Sequence, residues 1–158
     1  MKMRLGILSD THDHLDKVRQ AVALFNRLEV DQVVHCGDII ARFVLKEFSR
    51  VRVPLWLVYG NCDGDREALA EQANRLGYDI QSGPLTLAIA DKSVVVTHQP
   101  VEPPPDCDFY IHGHTHRVRY EPGRPVIINP GEACGWLTGR STAAVLNIET
   151  NEVEFLDL

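Results

Sequence analysis

Paired cysteines, long apolar runs and an excess of positive charge are all missing from this sequence. The four cysteines (Cys36, Cys62, Cys107, Cys134) are far apart and form no C-x-x-C pair. Zinc-finger and disulfide-scaffold proteins are therefore excluded, and reduced cytoplasmic thiols are expected. No apolar run approaches the ~20 residues of a membrane span. Residues 1–4 lead directly into a strand-like segment without a signal-peptide cleavage pattern, so a cytoplasmic protein is expected.

The charge balance is acidic, with 22 Asp and Glu against 16 Lys and Arg and a net charge of −6. This balance argues against non-specific binding to nucleic acid or to an anionic membrane. Apolar residues make up 44% and charged residues 24% of the 158 residues, as in ordinary globular proteins. We therefore expect a single domain over residues 1–158, with a homo-oligomer left open.

Several phosphate-binding motifs are also absent. The sequence contains neither G-x-x-x-x-G-K-[ST] nor G-x-G-x-x-G, and no D-x-D follows the first predicted strand. What it has instead is histidine: there are seven, and all of them precede residue 117.

The hydrophobic pattern predicts that the first half alternates strands and helices, which favours a parallel sheet. The predicted strands are Arg4–Ser9, Val30–His35 and Leu55–Tyr59, and the predicted helices are Leu15–Leu28, Arg42–Phe48 and Asp65–Leu76. Asp13 is the predicted N-cap of the first helix.

The second half consists mainly of predicted strands. They are Leu85–Ala90, Ser93–Thr97, Phe109–His112, Val118–Tyr120, Val126–Ile128, Ala143–Ile148 and Val153–Leu158. Hairpin turns are expected at Asp91-Lys92 and Thr150-Asn151. Together the two halves predict an α/β (α+β) fold in which two β-sheets pack face to face as a sandwich flanked by helices.

Metal-ligand residue types follow five of the predicted strands, where ligands of α/β proteins gather. These segments read Asp10-Thr11-His12, Gly37-Asp38, Gly60-Asn61-Cys62-Asp63, His98 and Gly113-His114-Thr115-His116. The i, i+2 spacing of D-x-H and H-x-H places both side chains on one face of an extended chain. Seven candidate ligands are too many for one tetrahedral ion, but they suit two ions that share a bridging carboxylate. Imidazole, carboxylate and amide ligands without thiolate favour Mn, Fe, Co, Ni or Zn over Ca.

In their order along the chain, these motifs resemble those of the calcineurin-like metallophosphoesterase superfamily. The resemblance runs from Leu5 to about Pro130, and the small single-domain bacterial and archaeal phosphodiesterases are the most similar in length and in the G-N-C-D motif. It implies that fold family's four-layer architecture and two divalent ions, with Mn the foremost expectation. The implied ligands are Asp10, His12 and His116 for the first ion, Asn61, His98 and His114 for the second, and Asp38 as the bridge.

The implied reaction is hydrolysis of a small phosphoester by a hydroxide that bridges the two ions, with Asn61, His98 and His114 as possible phosphate-orienting neighbours. Two dications, Asp10, Asp38 and the hydroxide leave a formal charge of about +1, which suits a diester monoanion better than a monoester dianion. Larger phosphatases of the superfamily have His where this chain has Cys62, so no general acid is evident. The short stretch between His98 and His114 predicts an open site without a lid.

Two alternatives remain at this point. A retromer subunit of eukaryotes shares the fold and acts as a non-catalytic scaffold with a degraded metal site. The segment His35-Cys36 with Arg42 also fits the H-C-x5-R signature of cysteine-dependent phosphatases, although Asp38 within that loop would repel phosphate.

Residues outside the ligand set are expected to have supporting or structural roles. His35 and His112 are predicted to orient ligands or to pack in the core, and Asp63 to orient a ligand or to form a turn. Cys107 and Cys134 are predicted as small apolar fillers. His14 is predicted to be solvated, and the segment 129–131 to be mainly a turn.

Overall fold

The computed structural model describes residues 2–158 and contains two mixed β-sheets. The strands, in chain order, are β1 (Arg4–Leu8), β2 (Gln32–His35), β3 (Leu55–Val58), β4 (Asp79–Gln81), β5 (Leu85–Ile89), β6 (Lys92–Val96), β7 (Phe109–Ile111), β8 (Val118–Glu121), β9 (Val126–Pro130), β10 (Thr142–Asn147) and β11 (Val153–Asp157). The six-stranded sheet has the order β11-β10-β1-β2-β3-β4, and the five-stranded sheet has the order β5-β6-β7-β9-β8.

The expected parallel sheet is present, because β1, β2, β3 and β4 pair in parallel as successive neighbours. In the other sheet β6, β7 and β9 are also parallel. The carboxyl ends of these parallel strands carry the loops on which the candidate ligands lie.

The two faces of β1 explain how the layers stack. Side chains alternate along a strand, so Leu5 and Ile7 are buried between the two sheets. Leu8 faces the other way, into a second core beneath the helices. Gly6 shares that face and lies directly under the Phe25 ring, which lets the first helix approach the central strand closely.

Three helices cover the outer face of the six-stranded sheet: α1 (Leu15–Arg27), a 3-10 helix (Arg42–Arg50) and α2 (Arg66–Arg75). All three contribute apolar side chains to the same core, among them Phe25, Phe48 and Leu69. Among residues 2–158, none of the helices is both long and apolar enough to cross a membrane. The predicted fold class, a helix-flanked β-sandwich, is thus confirmed, with its helices gathered on one side.

Local details differ from the predictions in three places. Asp13 does not cap α1: its carboxylate accepts from the Ala41 N–H at 2.9 Å, and the His14 ring accepts from the Lys17 N–H instead. Strand β4 was not predicted, because three residues of which only the central one is buried give no recognisable pattern. The hairpin after Ile89 turns one residue early, since Ile89 pairs with Lys92.

Packing at Gly6 provides a test of the layer arrangement. A Cβ at this position would lie 2.9 Å from Phe25 Cδ1, and Phe25 is buried too tightly to move aside. We predict that Gly6→Ala lowers the free energy of unfolding by about 1–3 kcal/mol, as overpacking does, measured by urea denaturation. Gly64→Ala is the matched control, because its Cβ meets no atom within 4 Å. Equal midpoints for Gly6→Ala and the parent would contradict the packing described.

Candidate metal centre

The seven candidate ligands meet where the ends of the two sheets face each other. Backbone hydrogen bonds tie the loops together: the Asp10 N–H donates to the Gly37 carbonyl, and the Gly113 N–H donates to the His98 carbonyl, both at 3.0 Å. The Asp10 carboxylate then joins the two sheets, because it accepts from the His114 N–H at 3.1 Å.

Four of the candidates form one compact group. Asp10, His12, Asp38 and His116 offer ligand atoms that all lie within 4.8 Å of one another. Nε2 of His116 lies 3.3 Å from Asp10 Oδ1, and Nε2 of His12 lies 3.3 Å from Asp38 Oδ2. This group contains all three residues expected at the first ion, together with the expected bridge.

The remaining three candidates form a second group around the Asn61 amide. Asn61 Oδ1 lies 2.8 Å from His98 Nε2 and 2.9 Å from His114 Nδ1. Asp38 adjoins this group too, because its Oδ2 is 3.3 Å from His98 Nε2. The structure therefore brings all seven predicted residues together and places Asp38 between the two groups.

Two buried ligand atoms make close polar contacts but no well-aligned hydrogen bond. They are Asp10 Oδ1, 3.3 Å from His116 Nε2, and His12 Nε2, 3.3 Å from Asp38 Oδ2. Buried polar atoms in native proteins nearly always have a partner, and a divalent cation between a carboxylate oxygen and an imidazole nitrogen would supply one. The residues present thus fit a metal ion at this position.

The backbone around the site is strained. Five of the seven candidates have positive φ angles, namely Asp10 (53°), His12 (38°), Asp38 (60°), His114 (69°) and His116 (62°). Each such conformation costs roughly 1–3 kcal/mol and persists only where the surrounding structure enforces it. The loops around the site are closely packed. At Gly60, for example, a Cβ would overlap the Asp38 carboxylate.

The electrostatics of the site favour protonated imidazole beside ionised carboxylate. Contacts with Asp10 and Asp38 raise the pKa of His12 to about 9. Burial alone would raise the pKa of Asp38, but its contacts with His12 and His98 and the Cys62 N–H lower it well below the usual range. His12 would have to be deprotonated to hold a metal ion here.

Asp63 holds two ligand loops in register. Its carboxylate accepts from the backbone N–H groups of Asp38 (3.0 Å), Gly60 (2.7 Å) and Ile40 (2.7 Å). Of the two roles predicted for Asp63, the orienting one therefore fits the structure. His35 also has an orienting contact, because its ring accepts from the Gly37 N–H at 3.0 Å.

Two supporting residues were underestimated from the sequence. The Asn129 amide donates to the Gly113 carbonyl and to Thr115 Oγ1, each at 3.0 Å, so it is more than a turn residue. His14 is not simply solvated, because it stacks on Trp136 with ring centroids 4.5 Å apart.

Glu132 was missed altogether, although it is fully buried. It accepts a 2.6 Å hydrogen bond from His116 Nδ1 and further ones from the Leu137 and Thr138 N–H groups and the Thr138 hydroxyl. Burial opposes ionisation, but the bonds from Thr138 and His116 lower the pKa of Glu132 to about 2. Cys134 Sγ lies 3.3 Å from this carboxylate, so Cys134 is not merely a filler. The only signal in the sequence was an acidic residue in a short, otherwise uncharged segment directly after a predicted strand and turn.

The two cysteines beside the motifs have different surroundings. Cys36 is fully buried in the core between the sheets, and burial raises the pKa of its thiol well above the ordinary value. Cys62 is exposed at the site, where partial burial and the neighbouring Asp38 raise the pKa of its thiol. Cys36 therefore cannot act as the thiolate nucleophile of a cysteine-dependent phosphatase.

Comparison with known proteins identifies relatives of the whole chain. A sequence profile of the calcineurin-like phosphoesterase superfamily domain matches residues 3–151. A phosphodiesterase of Methanocaldococcus jannaschii is 38% identical over 159 residues, which cover 95% of this chain and 96% of that protein. The solved structure of an archaeal phosphodiesterase superposes with a TM-score of 0.90 at 36% identity, covering 99% of this chain and 100% of that one.

Another solved structure of the same fold is more distant. A single mutant of Vps29 from Entamoeba histolytica superposes with a TM-score of 0.64 at 15% identity, covering 99% of both chains. That likeness shows the fold alone, and it does not favour the scaffold alternative. The profile match over residues 3–151 and the relative that is 38% identical confirm the resemblance seen in the motifs: the protein belongs to the calcineurin-like phosphoesterase superfamily.

Proposed function

We propose that this protein is a phosphoester hydrolase that uses two divalent metal ions and prefers phosphodiesters. The observation that carries the proposal is the Asp38 carboxylate, which lies within 3.3 Å of an imidazole nitrogen from each ligand group. A carboxylate shared in this way is what a pair of adjacent ions requires. The archaeal relatives that are 38% and 36% identical are phosphodiesterases, which supports the choice of reaction.

The proposed ligands follow the two groups. Asp10, His12 and His116 hold one ion, Asn61, His98 and His114 hold the other, and Asp38 contacts both. When bound, divalent ions lower the pKa of water to near 7 and neutralise charge on the phosphoryl oxygens. Mn is the preferred ion in this proposal, with Ni, Co, Fe and Zn as other ions that suit these ligands.

The chain itself sets which imidazole nitrogen faces the ions. His98 Nδ1 donates to the Cys36 carbonyl at 2.7 Å, and His116 Nδ1 donates to Glu132 at 2.6 Å. Each bond fixes a proton on Nδ1 and leaves Nε2 as the basic nitrogen that faces the centre. The two rings are thereby oriented before any ion arrives.

Substrate charge supports the diester preference. With Asp10 and Asp38 ionised and one hydroxide bound, the loaded centre would retain a formal charge of only about +1, which matches a diester monoanion. Cys62 occupies the position from which a general acid would protonate the leaving group, but two nearby dications would favour its thiolate and weaken it as an acid. We therefore expect good leaving groups to react best.

The two alternatives are less well supported. A non-catalytic scaffold has no need of converging ligand atoms, yet those of Asp10, His12, Asp38 and His116 all lie within 4.8 Å of one another. A cysteine-dependent mechanism needs an accessible thiolate, whereas Cys36 is fully buried.

Metal removal tests the proposal most simply. We predict that chelation reduces hydrolysis of bis(4-nitrophenyl) phosphate to background and that Mn, Ni or Co restores it. The rate is measured in metal-free protein before and after each ion is added. Full activity in protein shown by elemental analysis to be metal-free would overturn the metal-dependent mechanism.

The bridging role predicts a large effect at Asp38. Asp38→Asn keeps the side-chain shape but weakens both ion sites, so its activity should fall by more than the ~10–100-fold typical of residues that only orient ligands. Cys36→Ser should remain active, and thermal unfolding checks that both variants are folded. Loss of activity in Cys36→Ser with retention in Asp38→Asn would reverse the assignment.

Glu132 should act on the metal through His116. In Glu132→Gln the amide oxygen should keep accepting from the Leu137 and Thr138 donors, so the amide NH₂ group points at His116 Nδ1. Nδ1 must then accept this hydrogen bond. The ring proton therefore moves to Nε2, where it blocks a metal ion. We predict about 10–100-fold weaker metal affinity with the fold retained, measured by calorimetric titration and by the Mn dependence of activity. Glu71→Gln, an exposed change on α2, is the control. Unchanged affinity in Glu132→Gln would show that Glu132 only anchors its loop.

The diester preference is tested with matched leaving groups. We predict a higher kcat/KM for a 4-nitrophenyl diester than for 4-nitrophenyl phosphate, and little change in Cys62→Ala with either ester. Alkyl diesters should react slowly because no effective acid protonates their leaving groups. A consistent monoester preference across several leaving groups would contradict the charge argument.

A further inference from the structure

A groove of about 300 Å³ opens at the ligand groups. It is lined by Trp136 and Leu137 together with Asp38, Asn61, Cys62 and three ligand histidines. Trp136 and Leu137 are 61% and 75% exposed, the highest values among the exposed large apolar side chains of residues 2–158. Solvent-exposed apolar groups beside a concave polar site often mark a place where a ligand binds.

The Trp136 side chain is held in place although it is exposed. One face of the indole stacks on the His14 ring at 4.5 Å with an interplanar angle of 23°, and the indole N–H donates to the His12 carbonyl at 3.3 Å. The loop that carries Trp136 and Leu137 is anchored by Glu132, which accepts from the Leu137 N–H at 3.1 Å. A ring fixed in this way loses little conformational entropy when a ligand packs against it.

The size and position of this apolar surface decide what it can bind. One indole and one leucine offer far less area than the roughly 800 Å² per partner of a stable protein interface. They match a single aromatic ring instead, which can stack on tryptophan through its π-face. Because the groove is continuous with Asp38 and Asn61, a ring bound there would belong to a molecule that also reaches the metal centre.

We propose that Trp136 and Leu137 form a subsite for a planar aromatic group linked to the scissile phosphate, so that the preferred phosphodiesters carry a nucleobase or an aryl ring. This inference rests on the proposed function, because it assigns the phosphate to the metal centre. Within it, Trp136 and Leu137 determine specificity, and His14 is a positioning residue that supports the indole.

The test compares phosphates that differ only in the aromatic group. Adenosine 5′-phosphate and ribose 5-phosphate form one pair, and phenyl phosphate and ethyl phosphate form the other. Binding to Zn-loaded protein is measured by calorimetry, and also by fluorescence in Trp56→Phe, since the chain has only two tryptophans. We expect each aromatic phosphate to bind about tenfold more tightly than its partner, which is the effect expected of one stacked ring. It should also quench the fluorescence of Trp136.

Variants separate the subsite from the rest of the protein. Trp136→Ala should remove the tenfold preference and leave the affinity for ribose 5-phosphate unchanged. Trp136→Phe should keep most of the preference, because an aromatic ring remains. Phe43→Ala removes an exposed aromatic side chain outside the groove and should change neither affinity. In steady-state kinetics, Trp136→Ala should raise KM for aryl and nucleoside diesters about tenfold with little change in kcat.

Different failures have different meanings. Equal affinities within both pairs, or a preference that survives in Trp136→Ala, would overturn the subsite and leave the proposed function standing. A preference for adenosine 5′-phosphate but not for phenyl phosphate would support the subsite and identify the nucleobase as the ring it takes. If none of the four monoesters bound, the diester kinetics would decide. An unchanged KM for aryl and nucleoside diesters in Trp136→Ala would overturn the subsite, and no diester hydrolysis by the metal-loaded parent would overturn the proposed function.

Discussion

The Asp38 carboxylate is the group on which the rest of the site depends. It lies within 3.3 Å of both His12 Nε2 and His98 Nε2 and accepts the Cys62 N–H at 2.8 Å, so it joins segments that follow four different strands. Its backbone is held at positive φ by the Asp63 carboxylate, which accepts from the Asp38 N–H. Asp38 is thus the carboxylate that contacts an imidazole of each group.

A second acidic residue connects the metal centre with its mouth. Glu132 orients His116 with one oxygen and anchors the backbone of residues 137 and 138 with the other. Because the same loop carries Trp136, the position of the His116 ring and the position of the exposed indole depend on one buried carboxylate. Under the proposed function, metal affinity and recognition of the organic part of a substrate would therefore be physically linked.

The convergence of these loops on one centre explains the strained backbone around the site. Loops that leave a strand abruptly and turn a side chain back toward a common centre must adopt unusual φ angles, and Asp10, His12 and His116 all do so. Hydrogen bonds from neighbouring loops, such as the Asp10 N–H to the Gly37 carbonyl, hold these conformations. Stability built into the two cores thus supports a site that would not be stable by itself.

The sequence allowed the fold and the convergence of the candidate ligands to be predicted because both depend on short-range patterns. A short apolar run indicated β1, and apolar residues at helical spacing indicated α1. The i, i+2 spacing of Asp10 with His12 and of His114 with His116 indicated shared faces. Glu132 has no such pattern, since it acts on His116, 16 positions away. The cap of α1 was assigned to Asp13 because aspartate favours that position, but a tertiary contact with Ala41 takes its carboxylate.

The exposed indole at the mouth was equally unpredictable. Trp136 lies in a loop without periodicity, and only the folded chain brings it to His14, more than a hundred residues away. The β4 strand was missed for a related reason, because its pairing with β3 rather than its own composition defines it.

The most direct test of the two-ion centre is a count of bound ions with activity measured in the same samples. Metal-free protein is titrated with Mn by calorimetry, and diester hydrolysis is measured at each step. Two ions per chain are expected, with activity rising as the second ion binds and with both steps weakened in Asp38→Asn. Full activity with a single bound ion, or two ions bound equally well by Asp38→Asn, would contradict a centre bridged by this carboxylate.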